Sequence, residues 1–133
     1  MNKSECIRLF NTNIIRLMKE LENYYPTSGE IITLNNRIKI LKNELGREKL
    51  IEICGPKIYT YKDKILKRDM DFFQDFNNIK KESNINEKEK NYELVSKIFM
   101  MASGIYPKLD EQKQDELYNK LLIMLQSYMA YKT

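Results

Sequence analysis

The sequence contains no histidine, and its two cysteines, Cys6 and Cys54, lie far apart in the chain. Without an imidazole there can be no Ser-His-Asp arrangement, no Cys-His pair and no mixed Cys/His zinc site. Two cysteines do not make a disulfide framework, and a catalytic cysteine would lack its usual activating partner. We therefore expect two small, buried, reduced side chains in a non-enzymatic protein that needs no cofactor and no metal ion.

Turn-forming residues are also scarce, since the 133 residues include only four glycines and three prolines. An all-β fold needs many tight turns, so this composition argues against one. The length suits one domain, and the balance of 42% hydrophobic and 32% charged residues is typical of a globular chain. We predict a single all-α domain spanning residues 1–133, a compact bundle of about five to seven helices.

Long apolar runs and phosphate-binding glycine loops are missing as well. The longest apolar run, Leu121 to Leu125, is far shorter than a membrane span, and the N-terminus lacks the apolar core of a signal peptide. No dinucleotide-binding or Walker glycine pattern occurs. We expect a soluble, intracellular protein without a membrane partner, and no small-molecule substrate is evident.

Apolar residues at helical spacing predict the first half of the bundle. A first helix runs from a cap at Ser4 to about Tyr24, and a second spans about 28–45, beginning with a capping box formed by Thr27 and Glu30. Gly46 ends the second helix in a left-handed conformation. This helix is predicted to be central, with Ile32 and Ile40 widening a buried seam made of Ile31, Leu34, Ile38, Leu41 and Leu45.

The second half is predicted from breakers and caps. A short helix at 47–54 is interrupted by Gly55-Pro56, and another restarts at Pro56. Residues 71–76 are predicted to form a helical turn held against the core by phenylalanines. The polar stretch 77–90 is predicted to be a mobile loop. A helix at about 88–103 is capped by Gly104, and the last helix begins near Asp110.

Positive charge is concentrated in residues 37–68, which hold ten basic and four acidic side chains. Lysines neutralise phosphates and tyrosines stack on bases, so a face with Tyr59 and Tyr61 between basic positions could bind nucleic acid weakly and without sequence preference. The alternative is a solvated lysine-rich surface. Among the candidate contact residues, Lys57, Lys64 and Arg68 would share one helical face. The full set of candidates is Arg37, Lys39, Lys42, Lys57, Lys64, Lys67 and Arg68.

Three aspartates, Asp69, Asp71 and Asp75, raise a third possibility. Alternating carboxylates can bind a divalent cation, as in a metal-dependent enzyme. The sequence has neither the glycine turn nor the distal glutamate of an EF-hand loop. We favour ordinary helix-start charges flanking core aromatic residues.

Methionine and tyrosine are frequent in the last two predicted helices. Adjacent methionines at Met100 and Met101 cannot both point inward on one helix, and the chain stays apolar to Tyr131. Such side chains are enriched at adaptable protein interfaces. We predict binding to a protein partner or self-association as a homo-oligomer, through Met100, Met101, Tyr128, Met129 and Tyr131.

Short motifs in residues 7–76 resemble small helical proteins encoded by nucleocytoplasmic large DNA viruses, the giant viruses. The motifs are Leu9-Phe10-Asn11, Tyr25-Pro26, Tyr59-Thr60-Tyr61-Lys62-Asp63-Lys64-Ile65 and Asp71-Phe72-Phe73. The resemblance implies a viral setting, such as a virion component or a host-directed adaptor. It implies no catalytic residue.

The seam of the second helix gives a test of the predicted fold. We expect far-ultraviolet circular dichroism to show a predominantly helical protein. Leu34→Ala or Leu41→Ala should lower the free energy of unfolding by about 2–5 kcal/mol, because each leaves a cavity in the core. Losses below about 1 kcal/mol for both in urea denaturation would show that this helix lies outside the core.

Overall fold

The computed structural model describes residues 2–44, 46–71 and 90–133. Within these ranges the chain forms six α-helices and no strand, which confirms the all-α prediction. They are α1 (Lys3–Tyr24), α2 (Gly29–Glu44), α3 (Lys49–Thr60), α4 (Lys62–Leu66), α5 (Lys90–Ile105) and α6 (Glu111–Tyr131), with a short 3-10 helix, Tyr106–Lys108, before α6.

The helix starts show which capping predictions held. α6 begins at Glu111, which agrees with the predicted start near Asp110, and the Asp110 carboxylate caps it by accepting the Lys113 backbone N–H at 2.8 Å. The cap of α1 is Asn2 rather than Ser4, since the Asn2 Oδ1 accepts the Glu5 N–H at 2.8 Å. Asn and Ser cap about equally well, so the helix simply begins two residues earlier.

The capping box predicted at Thr27 and Glu30 is wrong. The hydroxyl of Ser28 accepts the Ile31 N–H at 3.3 Å in place of Thr27. The Glu30 carboxylate pairs instead with Lys97 on α5, at 3.5 Å, so a tertiary contact replaces the local one.

The two longest helices, α1 and α6, pack against each other along their length. They run antiparallel, because Lys120 reaches Glu20 near the C-terminal end of α1, at 2.8 Å, while Lys3 at its other end lies over Tyr131. Apolar residues at spacings of three and four fill the contact between them. The buried set includes Phe10, Ile14, Leu17 and Leu21 from α1, and Leu117, Leu121, Met124 and Leu125 from α6.

The predicted central position of α2 is wrong. Its seam residues Ile31, Leu34, Ile38 and Leu41 are buried, as expected. Ile32 and Ile40, however, are 53% and 49% exposed and do not widen the buried face. The reason is that α2 packs on α1 and α3 from one side only, so α1 and α6 form the centre of the bundle.

The break predicted at Gly55-Pro56 is also wrong, because α3 continues through Pro56. A proline normally clashes with the side chain of the residue before it, and Gly55 has no Cβ to clash. Buried Cys54 and Ile58 hold both sides of the proline in one helical face. The chain turns at Tyr61 instead, between α3 and α4.

The two glycine caps have different outcomes. Gly46 adopts a positive φ of 101°, as its predicted left-handed cap requires. Gly104 does not, and α5 continues to Ile105. Ile105 is 2% exposed and extends the buried face of Ile98 and Ala102, so its packing favours one more helical residue.

The predicted loop at 77–90 lies outside the described residues except for Lys90, which begins α5. The same holds for Phe72 to Phe76 of the predicted helical turn. The side chains that are described as buried form one hydrophobic cluster.

Two glycines inside helices give a matched test of the packing. A Cβ on Gly55 would lie 2.2 Å from Cδ1 of the Tyr128 ring, whereas one on Gly104 would be 3.5 Å from the Tyr25 hydroxyl oxygen. We expect Gly55→Ala to lower the free energy of unfolding by about 1–3 kcal/mol, since the ring must move. Gly104→Ala should raise it by about 0.5–1 kcal/mol through helix propensity.

Urea denaturation of both variants, with circular dichroism to confirm helicity, measures the difference. If Gly55→Ala were as stable as Gly104→Ala, the contact between α3 and α6 would be looser than described.

Candidate functional site

Three tyrosines meet where the end of α6 crosses α3. Tyr128 lies directly on the backbone of Gly55, and its ring centroid is 6.1 Å from that of Tyr59. One turn further on, the Tyr131 hydroxyl donates to the Glu52 carboxylate at 3.1 Å. Because all three rings are half-buried, each keeps part of its face available to a partner.

Lysines from three segments of the chain cover these rings. The Lys132 ammonium lies 3.3 Å from the centroid of Tyr59, and Lys62 lies 5.6 Å from the same centroid. Lys3, from the start of α1, lies 5.3 Å from the centroid of Tyr131. Cations at these distances are attracted by the negative ring faces. The result is an aromatic patch with three lysines around it and the Glu52 carboxylate on Tyr131. It is called the tyrosine surface and is made of Tyr59, Tyr128, Tyr131, Lys3, Lys62 and Lys132.

The Tyr131 hydroxyl has a raised pKa. Burial is the largest cause, followed by the hydrogen bond to Glu52 and the negative charges of Glu52 and Glu48. Each of these disfavours the phenolate. The hydroxyl therefore stays protonated at neutral pH and donates to Glu52, which ties α6 to α3.

The predicted interface residues fall into two groups. Tyr128 and Tyr131 belong to the tyrosine surface, and Met129, next to Tyr128 in α6, is also half-buried. Met100 and Met101 are also half-buried, but they lie on α5. The end of that helix approaches Tyr25, at the far end of α1 from Lys3. The two groups are therefore not brought together.

The structure adds residues to this surface that the sequence did not single out. Lys3, Lys62 and Lys132 lie in different segments, and no spacing rule relates them. Tyr59 was named from the sequence, because it stands between basic positions, but for stacking on a nucleic-acid base rather than for a protein contact. Tyr61, which also stands between basic positions in the sequence, is 1% exposed. Its ring packs edge-on against that of Phe99, with centroids 5.4 Å apart. It cannot stack on a base.

The basic face predicted from residues 37–68 is dispersed over several elements. Lys57 lies on α3, Lys64 on α4 and Arg68 after it, so the helix break at Tyr61 separates the face they were predicted to share. Lys67 is exposed, and Lys57, Lys64 and Arg37 are half-buried. Lys39 and Lys42, on α2, lie in a groove against α1.

Arg68 is part of a clamp between α4 and the start of α6. Its guanidinium bonds the Asp115 carboxylate at 2.6 Å and the Tyr106 hydroxyl at 2.9 Å, and lies 4.7 Å from the ring centroid of Tyr118. The bond to Asp115 is the largest cause of the raised pKa of Arg68. Its backbone has a φ of 56°, the left-handed region that non-glycine residues seldom adopt.

Both cysteines are buried and unpaired, as expected. Burial raises the pKa of the Cys54 thiol to about 12, although the nearby charge of Arg37 acts in the opposite direction. The thiol is therefore protonated at neutral pH, whereas a nucleophile would need the thiolate.

In the ranges that the structure describes, no group of three or more metal-binding side chains is assembled. Asp75, one of the three candidate aspartates, lies outside these ranges. None of the described helices is both long and apolar enough to cross a membrane.

Comparisons with protein-family models, with curated proteins and with solved structures give no significant match for this chain. The site must therefore be interpreted from its own geometry.

The clamp gives a prediction about Arg68. Arg68→Ala should lower the free energy of unfolding by about 1–3 kcal/mol, because it removes charge-assisted hydrogen bonds and leaves alanine at a positive φ. Arg68→Gly removes the same side chain without the backbone cost, so it should be about 1 kcal/mol more stable than Arg68→Ala.

Urea denaturation of both variants measures these effects, with Lys67→Ala as the control at an exposed neighbour. The control should stay within about 0.5 kcal/mol of the wild type. Equal stabilities for Arg68→Ala and Lys67→Ala would contradict a structural role for Arg68.

Proposed function

We propose that the protein is a non-enzymatic interaction protein that binds an acidic protein segment through the tyrosine surface. The observation that carries this proposal is the covering of three half-buried tyrosine rings by three lysines at one end of the bundle. Tyrosine and methionine are enriched in the buried centres of protein interfaces, where they offer large contact area at little entropic cost.

Charge complementarity supports an acidic partner. Lys3, Lys62 and Lys132 come from three segments, yet all present ammonium groups at the rim of one aromatic patch. A partner with carboxylates at matching positions would pair with these lysines while its apolar side chains pack on the rings. Opposite charges at a rim speed association and fix orientation more than they add affinity.

A second copy of the chain is one candidate partner. The first turns of α6 carry exposed Asp110, Glu111 and Glu116, besides Asp115 of the clamp, at the opposite end of the helix from the tyrosine surface. Contact between unlike ends is heterologous and closes into a ring or extends into a filament. Met129, half-buried beside Tyr128, would join this contact, and Met100 and Met101 would take part only through a second surface.

The resemblance to giant-virus proteins suggests where such binding would act. We place the protein, as part of this proposal, inside an infected host cell or in the virion, as a structural component or as an adaptor to a host protein. Both roles require a stable binding surface and no catalysis.

The test reverses charge at the rim. In the double variant Lys62→Glu with Lys132→Glu, two attractive contacts become repulsive, so binding should weaken about tenfold or more. Sedimentation velocity at high concentration measures self-association. Purification of the tagged protein from cells, after nuclease treatment, recovers other protein partners.

The matched control is Lys108→Glu with Lys113→Glu, since these lysines lie at the other end of α6 and Lys108 also lies over a tyrosine ring. It should bind another protein partner like the wild type, and it should not weaken self-association, because it only adds negative charge to the acidic end of α6. Met129→Glu should weaken binding more than Met101→Glu. A monomeric wild type, together with identical partners for both double variants, would reject the proposal.

Nucleic-acid binding remains the second candidate, and one observation favours it. Lys39 and Lys42 from the predicted basic face lie together in the groove between α2 and α1, with no carboxylate among the described side chains that line it. Lys57, Lys64 and Arg68 lie on separate elements, so their positions do not support nucleic-acid binding in the same way.

A further inference from the structure

A groove runs between α1 and α2 on the side of α1 that faces away from α6. The two helices are antiparallel, because Arg47 bonds Ser4 at one end and Asn35 bonds Glu22 at the other, at 3.0 Å. Two cavities of about 310 and 240 Å³ lie along it and share Ile15 and Lys42 in their walls. Together they are called the basic groove here.

The described lining of the basic groove holds four cations and no carboxylate, although Glu22 bonds Asn35 at one end. Arg8, Lys42 and Arg47 line the larger cavity, and Lys39 joins Lys42 in the smaller one. Every other described lining residue is polar and uncharged or apolar. Neither Arg8 nor Lys42 is paired with a carboxylate within the described part of the chain. Like charges gathered in one cleft repel each other, and a bound anion would remove that cost.

One of these cations is held in place by α1. The Arg47 guanidinium donates to the Ser4 hydroxyl at 2.8 Å, and the Arg47 carbonyl accepts the Asn11 side-chain N–H at 2.9 Å. Asn11 is 7% exposed and lines the same cavity. A cation that is already fixed loses less entropy when a ligand binds. Asn11 is therefore a positioning residue for Arg47.

The side-chain amide of Asn11 is only partly hydrogen-bonded. The Asn11 Oδ1 receives no hydrogen bond from the described residues. A buried acceptor left in this way costs about 1–3 kcal/mol. This oxygen is almost inaccessible to solvent, so it is not one of the groups that would contact a ligand.

The chemistry of the walls points to phosphate rather than to a carboxylate. Three cations around one cavity suit a group that carries up to two negative charges and several acceptor oxygens, and arginine binds such oxygens in pairs. The Thr12 hydroxyl can donate as well, and Ile7 and Ile15 supply an apolar wall. A cavity of this volume is in the range of small-ligand sites.

We propose that the basic groove binds the phosphate group of a phosphorylated ligand, held by Arg8, Lys42 and Arg47. The described lining includes no aromatic residue on which a base could stack. The contact is therefore to phosphate and its adjoining hydroxyls, whether the phosphate belongs to a small ester or to a polynucleotide. This site is separate from the tyrosine surface and does not depend on the protein-binding proposal.

The experiment is a titration of the isotope-labelled full chain followed by two-dimensional amide NMR at constant ionic strength. The probes are sodium pyrophosphate, single-stranded oligothymidylate and sodium acetate. We expect saturable shifts at Arg8, Thr12, Lys42 and Arg47 with pyrophosphate, and none with acetate. The double variant Arg8→Gln with Lys42→Gln should weaken binding about tenfold or more, because it removes two charged partners.

Lys113→Gln, on α6, is the control for loss of a positive charge outside the groove and should bind like the wild type, with circular dichroism confirming that all variants fold. Pyrophosphate binding without oligothymidylate binding supports the groove as a small phosphate-ester site. Oligothymidylate binding that is displaced by pyrophosphate supports it as a contact to a polynucleotide backbone. The absence of saturable shifts with either phosphate probe, similar shifts with acetate, or an equal loss in Lys113→Gln would overturn the proposal.

Discussion

The antiparallel packing of α1 against α6 is the interaction on which the rest of the structure depends. Buried side chains such as Phe10, Ile14 and Leu17 face Leu117, Leu121 and Leu125 along these helices. Each large apolar side chain stabilises the fold by roughly 1.5–3 kcal/mol when it leaves water. The pair therefore forms the axis of the bundle, and α3 packs against both of its helices.

That axis also determines where the candidate sites lie. The end of α6 reaches the start of α1 and crosses α3 at Gly55, so Tyr128 and Tyr131 meet Tyr59, Lys3 and Lys62. On the other side of α1, α2 buries only its seam and leaves its flank open. The two candidate surfaces are thus consequences of helix packing. α6 packs closely on α3 at Gly55, and α2 packs on α1 along a narrow apolar stripe.

Local patterns predicted helices better than their boundaries. The described seam of α2, without Leu45, which lies outside the described residues, and the start of α6 near Asp110 follow from spacing and side-chain chemistry, and the structure confirms both. Pro56 and Gly104 were predicted to end helices, and both are helical. In each case burial of neighbouring side chains outweighs a local preference of about 1–3 kcal/mol. Those neighbours are identified only once the helices have been placed.

The sequence by itself determined the fold class, the helical seams and the inert, buried cysteines, because these depend on composition and on spacing within one helix. Only the tertiary structure decided which side chains share a surface. It separated Met101 from Met129, turned Arg68 from a candidate phosphate contact into a clamp, and joined Arg8 and Arg47 to Lys42. Contacts between distant segments depend on the order and direction in which helices pack, and no local spacing in the chain records that arrangement.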